Sequence, residues 1–285
     1  MESDDEIKYN LPDKFETNLY IDGDLFRDLQ ILVAQRQKYK VQLMSSFRTS
    51  GQKNRQDIDR SVSRHIGNQL CKITRKLADR LQWLDTKDII ISPSMKDLCK
   101  AFSYKMSNLT ALVLSEDFMY SRELICKIAY NCPNLRHISL PHCHVAHDDV
   151  LLYFARKLQN LKVLLLDYPK PLTDIGCRNI CTHLVNLVIL ELAYINITDA
   201  AIEYIGNLKH LQQLYLEGCE NITADCINIL SNCGSRLEQL DVSFCDGVDP
   251  NEALQNLGLS RLPLLEFLFG SDVQTFQLWQ DSVLF

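Results

Sequence analysis

Along most of this chain, apolar residues recur at the second, fifth and seventh positions of a motif that returns about every 26 residues. Asn108-Leu-Thr-Ala-Leu-Val-Leu, Asn134-Leu-Arg-His-Ile-Ser-Leu, Asn160-Leu-Lys-Val-Leu-Leu-Leu and Asn186-Leu-Val-Ile-Leu-Glu-Leu start 26 residues apart. His210-Leu-Gln-Gln-Leu-Tyr-Leu follows after 24, Arg236-Leu-Glu-Gln-Leu-Asp-Val after 26 and Leu264-Leu-Glu-Phe-Leu-Phe after 28. A weaker copy, Arg80-Leu-Gln-Trp-Leu-Asp-Thr, stands 28 residues before the series. Positions five and seven have the same parity, so a short strand turns both to one side, and the tenth position is the next inward site. Cys143, Cys219 and Cys245 occupy it. A polar start and an amphipathic helix come next: Thr198-Asp199 precedes Ile202, Ile205 and Leu208, and Thr223 precedes Ile227, Leu230 and Cys233. One such unit cannot bury its own apolar face, so the pattern predicts an α/β solenoid of seven or eight stacked copies over residues 80–270. It is a right-handed horseshoe with its strands on the concave side.

Before the repeats, Ile58, Val62, Ile66, Leu70, Ile73, Leu77 and Leu81 recur at spacings of three and four. That stripe predicts an amphipathic helix, weakened at Gly67, and residues 57–79 are assigned as a basic helix capping the first repeat. Its other face carries Arg60, Arg64, Lys72, Arg75, Lys76 and Arg80. Residues 45–54 have linker composition, so 1–56 is set apart as a partly helical N-terminal region. The pattern lapses after residue 270, which leaves 271–285 as a C-terminal cap, or as a tail able to lie over the concave face.

In this register the third, fourth, sixth, eighth and ninth positions of each copy face outward on the concave side. They bring aromatic and acidic side chains together: Tyr168, Glu191, Tyr194, Tyr215, Glu217, Asp241 and Phe244 are the candidate partner-binding residues. Exposed aromatics anchor protein interfaces and flanking carboxylates favour a basic ligand, so the expected partner is a protein segment carrying Lys or Arg.

The Leu-x-x-Leu-x-Leu-x-x-Cys pattern, clearest in Leu211, Leu214, Leu216, Cys219, Ile222 and Thr223, resembles the cysteine-containing leucine-rich repeats of F-box proteins and of related mitotic-exit antagonists. The resemblance implies that the repeats hold a target while an N-terminal F-box docks on a Skp-type adaptor of a cullin ubiquitin ligase. It points to Leu11, Pro12, Leu25 and Phe26 as adaptor-binding residues. The Leu11-to-Asp24 spacing is short, the tryptophan typical of the third F-box helix is missing, and Asp22-Gly23-Asp24 reads as a turn. Two functions therefore stand open: a substrate-recognition subunit of an SCF-type ligase, or a non-catalytic scaffold or inhibitor that holds a regulatory protein.

Composition narrows the remaining classes. The chain has 285 residues with 46% hydrophobic and 23% charged, an ordinary globular balance. The acidic start Met1-Glu2-Ser3-Asp4-Asp5-Glu6 is unlike a secretory signal, no run suits a membrane span, and a cytoplasmic or nuclear location is expected. Eleven dispersed cysteines then read as reduced thiols, and the sequons at Asn108, Asn196 and Asn221 as chance matches whose middle residues belong to the core. Residues 36–80 hold twelve Lys or Arg against Asp57, Asp59 and Asp79, nine positive charges in excess, and the rest of the chain is acidic by fifteen. No aromatic interleaving accompanies the basic run, so nucleic acid is not an expected partner. In His142-Cys143-His144 the central thiol turns to the core and the imidazoles away from it, which argues against zinc. Cys177 and Cys181 share a helix face as packed thiols. No phosphate-binding loop, nucleophile elbow or metalloprotease motif occurs, so neither catalytic residues nor a cofactor or metal is expected.

Overall fold

The computed structural model describes residues 52–86, 93–116, 118–169, 171–233, 237–259 and 266–268. The expectations for Leu11, Pro12, Leu25 and Phe26, for the linker as far as residue 51, and for the tail from residue 271 lie outside them. Helix α1 (Gln52–Leu77) leads into an alternation of strand and helix. The order is β1 (Trp83–Asp85), α2 (Met95–Ala101), β2 (Ala111–Val113), α3 (Arg122–Asn131), β3 (His137–Leu140), α4 (Asp148–Lys157), β4 (Val163–Asp167) and α5 (Asp174–His183). It continues with β5 (Ile189–Ala193), α6 (Asp199–Gly206), β6 (Gln213–Tyr215), α7 (Asp225–Asn232), β7 (Gln239–Asp241), α8 (Pro250–Leu259) and β8 (Glu266–Leu268). The strands form one parallel sheet in chain order, and each of the helices from α3 to α8 packs on its sequence neighbours. Strands pack about 4.8 Å apart and helices about 8–10 Å apart, so the array must bend with its sheet inside. This is a leucine-rich-repeat solenoid.

Strand pairing puts the fourth positions of the copies in one row: Trp83, Ala111, His137, Val163, Ile189, Gln213 and Gln239. The row ends at Glu266, which corrects the last copy: it starts at Pro263 rather than Leu264. Adjacent Leu264 and Leu265 offer two registers to a pattern search, and the hydrogen-bonded ladder selects one. Inward positions are buried throughout, with Leu112, Leu164, Leu190 and Leu214 at the fifth and Leu140, Leu166, Leu192 and Leu216 at the seventh. In the first copy Thr86 takes a leucine's place. Its hydroxyl bonds the Val113 carbonyl at 3.1 Å and accepts from the Ser115 amide at 3.1 Å, so the next copy satisfies the buried polar group. Leu109, Ile197 and Ile222, the sequon centres, are fully buried as expected.

Polar side chains fasten each copy to the next. First-position asparagines donate backwards, Asn134 to the Ser107 carbonyl at 2.7 Å and Asn186 to that of Gln159 at 3.2 Å. At the helix starts, Asp148 accepts both the amide and the hydroxyl of Thr173, at 3.0 and 2.7 Å. Asp174 does the same for Thr198, and Asp199 for Thr223. Thr173 and Thr198 also cap their own helices, the hydroxyl oxygen accepting from the amides of Ile175 and Ala200, and the Thr223 hydroxyl oxygen accepts from the Asp225 amide one residue ahead of the cap position. The Thr-Asp start signal therefore joins neighbouring helices as well as opening one.

Helix α1 differs from the sequence expectation at both ends. It starts at Gln52 inside the stretch assigned to a linker, where the polar residues Gln52-Lys53-Asn54 are compatible with a first turn. It stops at Leu77, whose carbonyl accepts from the amides of Arg80 and Leu81, and Leu81 becomes the second position of the first repeat instead of extending the stripe. Leu70, Ile73 and Leu77 are buried. Gly67 is a point of close approach: a Cβ there would stand 2.7 Å from the side chain of Asp97, and Cys71 Sγ donates to the Asp97 carbonyl at 3.3 Å. Its cost in helix propensity is offset by contact with α2.

Asp174→Ala removes two inter-repeat bonds and is expected to lower stability by about 1–2 kcal/mol. Asp225→Ala, which loses a bond only to Asn228, is expected to lower it by about 0.5 kcal/mol, and denaturant midpoints compare the two.

Candidate protein-interaction surface

At the ninth position the backbone leaves the strand in the left-handed region: φ is 55° at His142, 52° at Tyr168, 57° at Tyr194, 69° at Gly218 and 57° at Phe244. For a residue with a side chain that conformation costs about 1–2 kcal/mol, so something must hold it. The amide of Tyr168 donates to the Ala193 carbonyl, that of Tyr194 to Glu217 and that of Gly218 to Ser243, at 3.1, 2.6 and 2.8 Å. In every case the acceptor is the eighth residue of the following copy. The turn then delivers the tenth side chain inward. Cys219 Sγ donates to the Leu192 carbonyl at 3.2 Å and Cys245 Sγ to that of Leu216 at 3.1 Å, each satisfying the seventh residue of the copy before. A thiol at this position is a small apolar group with a proton to donate, which explains its recurrence better than bulk alone.

Side chains of the ninth row assemble a ladder along the strand ends. The Tyr168 and Tyr194 rings stack with centroids 4.3 Å apart and planes 2° from parallel, and His142 meets Tyr168 edge-on at 5.3 Å. On the far side Tyr194 lies over Gly218, where a Cβ would come within 2.3 Å of its ring. Glycine is thus required twice at that rung, for its φ and for its missing side chain. The Tyr194 hydroxyl donates to Glu217 Oε1 at 2.7 Å, and burial together with that carboxylate holds its pKa well above the ordinary phenol value. His142 Nε2 lies 3.6 Å from Asp167 Oδ2, and His144 Nδ1 lies 3.1 Å from the Tyr168 carbonyl oxygen.

The seven predicted residues separate into three settings. Tyr168, Tyr194 and Glu217 come together in the ladder, their ring faces and hydroxyl used within the fold. Glu191, Tyr215 and Asp241 are register neighbours in the sixth-position row. Glu191 is only 7% exposed, which corrects its assignment as an open contact residue. The Tyr215 hydroxyl lies 3.3 and 3.1 Å from the side-chain oxygens of Gln213 and Gln239, and Asp241 accepts from the Ser243 amide. Phe244 is 52% exposed and makes no ring contact among the described residues, so of the seven it is the apolar group most open to a partner. Sequence reasoning turned His142 and His144 away from the core, with His142 in the outward ninth row. It missed that they extend the ladder, although Gly218 at the ninth position signalled a left-handed row.

Covalent chemistry has little to work with on this surface. Cys143 is buried while His142 and His144 are exposed, and among the described residues no three His, Cys, Asp or Glu side chains gather as a metal site. Burial pushes the thiols of Cys143, Cys219 and Cys245 up to about 12, which leaves them protonated and poorly nucleophilic at neutral pH. Among the described residues no helix is long and apolar enough to cross a membrane.

No protein-family model matches the chain. It is 29% identical over 166 residues to F-box/LRR-repeat protein 4 of Bos taurus, covering 57% of this chain and 27% of that one. Over 134 residues it is 27% identical to antagonist of mitotic exit network protein 1 of Candida glabrata, covering 41% of this chain and 26% of that one. The chain thus spans about a quarter of the length of the curated relatives it matches. Among solved structures it is similar to a chain of the yeast Rad7 and Elc1 complex, with a TM-score of 0.46, 17% identity and coverage of 82% of this chain and 72% of that one. An internalin C2 of Listeria monocytogenes gives a TM-score of 0.47 with 17% identity, covering 70% of this chain and 91% of that one.

Tyr194→Ala removes the stack, the bond to Glu217 and the cover over Gly218, and is expected to destabilise the protein by about 1–3 kcal/mol. Phe244→Ala is expected to change stability by less than about 0.5 kcal/mol, as measured by equilibrium unfolding.

Proposed function

We propose that this chain is a protein-binding leucine-rich-repeat module that serves as the substrate-recognition subunit of an SCF-type ubiquitin ligase. The observation that carries the binding role is the outward rows of the strands. The ladder from His142 to Tyr194 is rigidified by its own contacts, and the half-exposed Phe244 follows two rungs beyond Tyr194. A preformed surface of this kind avoids ordering its side chains on binding. Asp167, Glu217 and Asp241 bring negative charge to the same rows, so the target segment carries Lys or Arg. The F-box/LRR-repeat relative supports the ligase role, with adaptor contact assigned to Leu11, Pro12, Leu25 and Phe26 and ligation left to the adaptor-bound cullin assembly. This reading carries a cytoplasmic or nuclear location with it and involves no enzymatic step by the chain itself.

A second reading, a scaffold or inhibitor without ligase association, is favoured by the relative named as an antagonist of the mitotic exit network. Co-purification of a Skp-type adaptor with the full chain, and with a chain lacking residues 1–51, separates the two. The ligase reading expects adaptor with the full chain and none with the truncated one. Adaptor absent from both overturns that reading in favour of the scaffold.

A further inference from the structure

The basic face of α1 is absorbed neither by the fold nor by the proposed binding surface. At 100° per residue, Arg60, Arg64, Asn68, Lys72, Arg75 and Lys76 fall within an arc of about 160°. The buried residues Gly67, Leu70, Ile73, Thr74 and Leu77 lie on the opposite side. Arg64, Lys72, Arg75, Lys76 and Arg80 are all exposed, and none has an acidic partner among the described residues. From residue 60 to residue 78 the sequence contains no Asp or Glu at all. Solvated helices ordinarily interleave charges of opposite sign at a spacing of four, and like charges so placed destabilise a helix.

We propose that this face binds a short acidic segment of another protein, one with several Asp or Glu side chains. From Arg64 to Lys76 the cations span about 18 Å along the helix axis, the reach of a five- or six-residue extended peptide. A bilayer surface is disfavoured because an interfacial helix needs an apolar face to insert, and Leu70, Ile73 and Leu77 of α1 are buried. A long duplex is disfavoured because the chain outside residues 36–80 is acidic by fifteen charges and repels a polyanion that runs past the helix. A short acidic peptide escapes most of that repulsion, because charges more than about 8 Å away are screened at physiological salt. This surface belongs to α1 and is separate from the strand rows proposed for the target.

Fluorescence anisotropy tests this with the full chain and a labelled Asp/Glu-rich peptide of about ten residues, chosen to cover the charged span. A duplex of about 20 base pairs and phosphatidylserine vesicles serve as the competing probes. The expected result is saturable peptide binding that rising salt weakens, that Phe244→Ala leaves unchanged, and that combined Arg64→Glu, Arg75→Glu and Lys76→Glu weaken at least about tenfold. If circular dichroism shows the triple variant unfolded, the milder pair Lys72→Gln and Lys76→Gln is expected to weaken binding about threefold. Absence of saturable peptide binding, equal binding by folded variant and parent, or tighter binding of duplex or vesicles overturns the proposal.

Discussion

A strand, a turn and a helix of about 26 residues have one apolar face that nothing inside the unit can cover. Everything else in this protein follows from covering it with the adjacent copy. Leu164 and Leu166 are buried because β3 and β5 flank β4 in register, and the same holds along the sheet. The polar groups obey the same constraint. Asp174 satisfies Thr198, the amide of Tyr194 finds the carbonyl of Glu217, and Cys219 finds that of Leu192, so the helix starts, strand ends and core are each fastened between copies. At the start of the array Thr86 shows the rule at work, a polar residue in a leucine slot satisfied by the backbone of the next repeat.

This inter-repeat bonding also shapes the surface. The ninth amides of Tyr168, Tyr194 and Gly218 reach the following copy and hold the backbone there at positive φ, so side chains as large as tyrosine project as a row from the strand ends. Ring contacts fix His142, Tyr168 and Tyr194 to one another, edge-on and then stacked, and Gly218 ends the row by giving Tyr194 a flat place to lie. What a ligand meets is therefore the edges of a rigid ladder and the face of Phe244. Loose tyrosine hydroxyls are not part of it: those of Tyr194 and Tyr215 are engaged inside the fold.

Much of the architecture was legible in the sequence, because a two-residue parity and a 26-residue return leave few alternatives. Fourth positions from Trp83 to Gln239 align as counted. Register failed only where Leu264 and Leu265 stand side by side and periodicity is degenerate. At α1, composition misled twice: polar Gln52-Lys53-Asn54 joins the helix, and Gly67 marks a contact with Asp97 where propensity alone suggested weakness. The site was less legible, since facing outward is a matter of parity whereas exposure depends on neighbours. Parity turned Glu191 outward, yet it is buried; parity alone also gave no hint that Tyr168 and Tyr194 would use their faces on each other.

Both functional readings need the outward rows to exist as a formed surface before any partner arrives, and that surface exists only while adjacent copies are stacked. Amide hydrogen exchange on the full chain tests this directly. If the account is right, the strand amides of Leu164, Leu190 and Leu214 exchange slowly and through one shared opening, with the first copy at Leu84 opening more readily. Strands that open independently of one another, each at its own modest free energy, would contradict it.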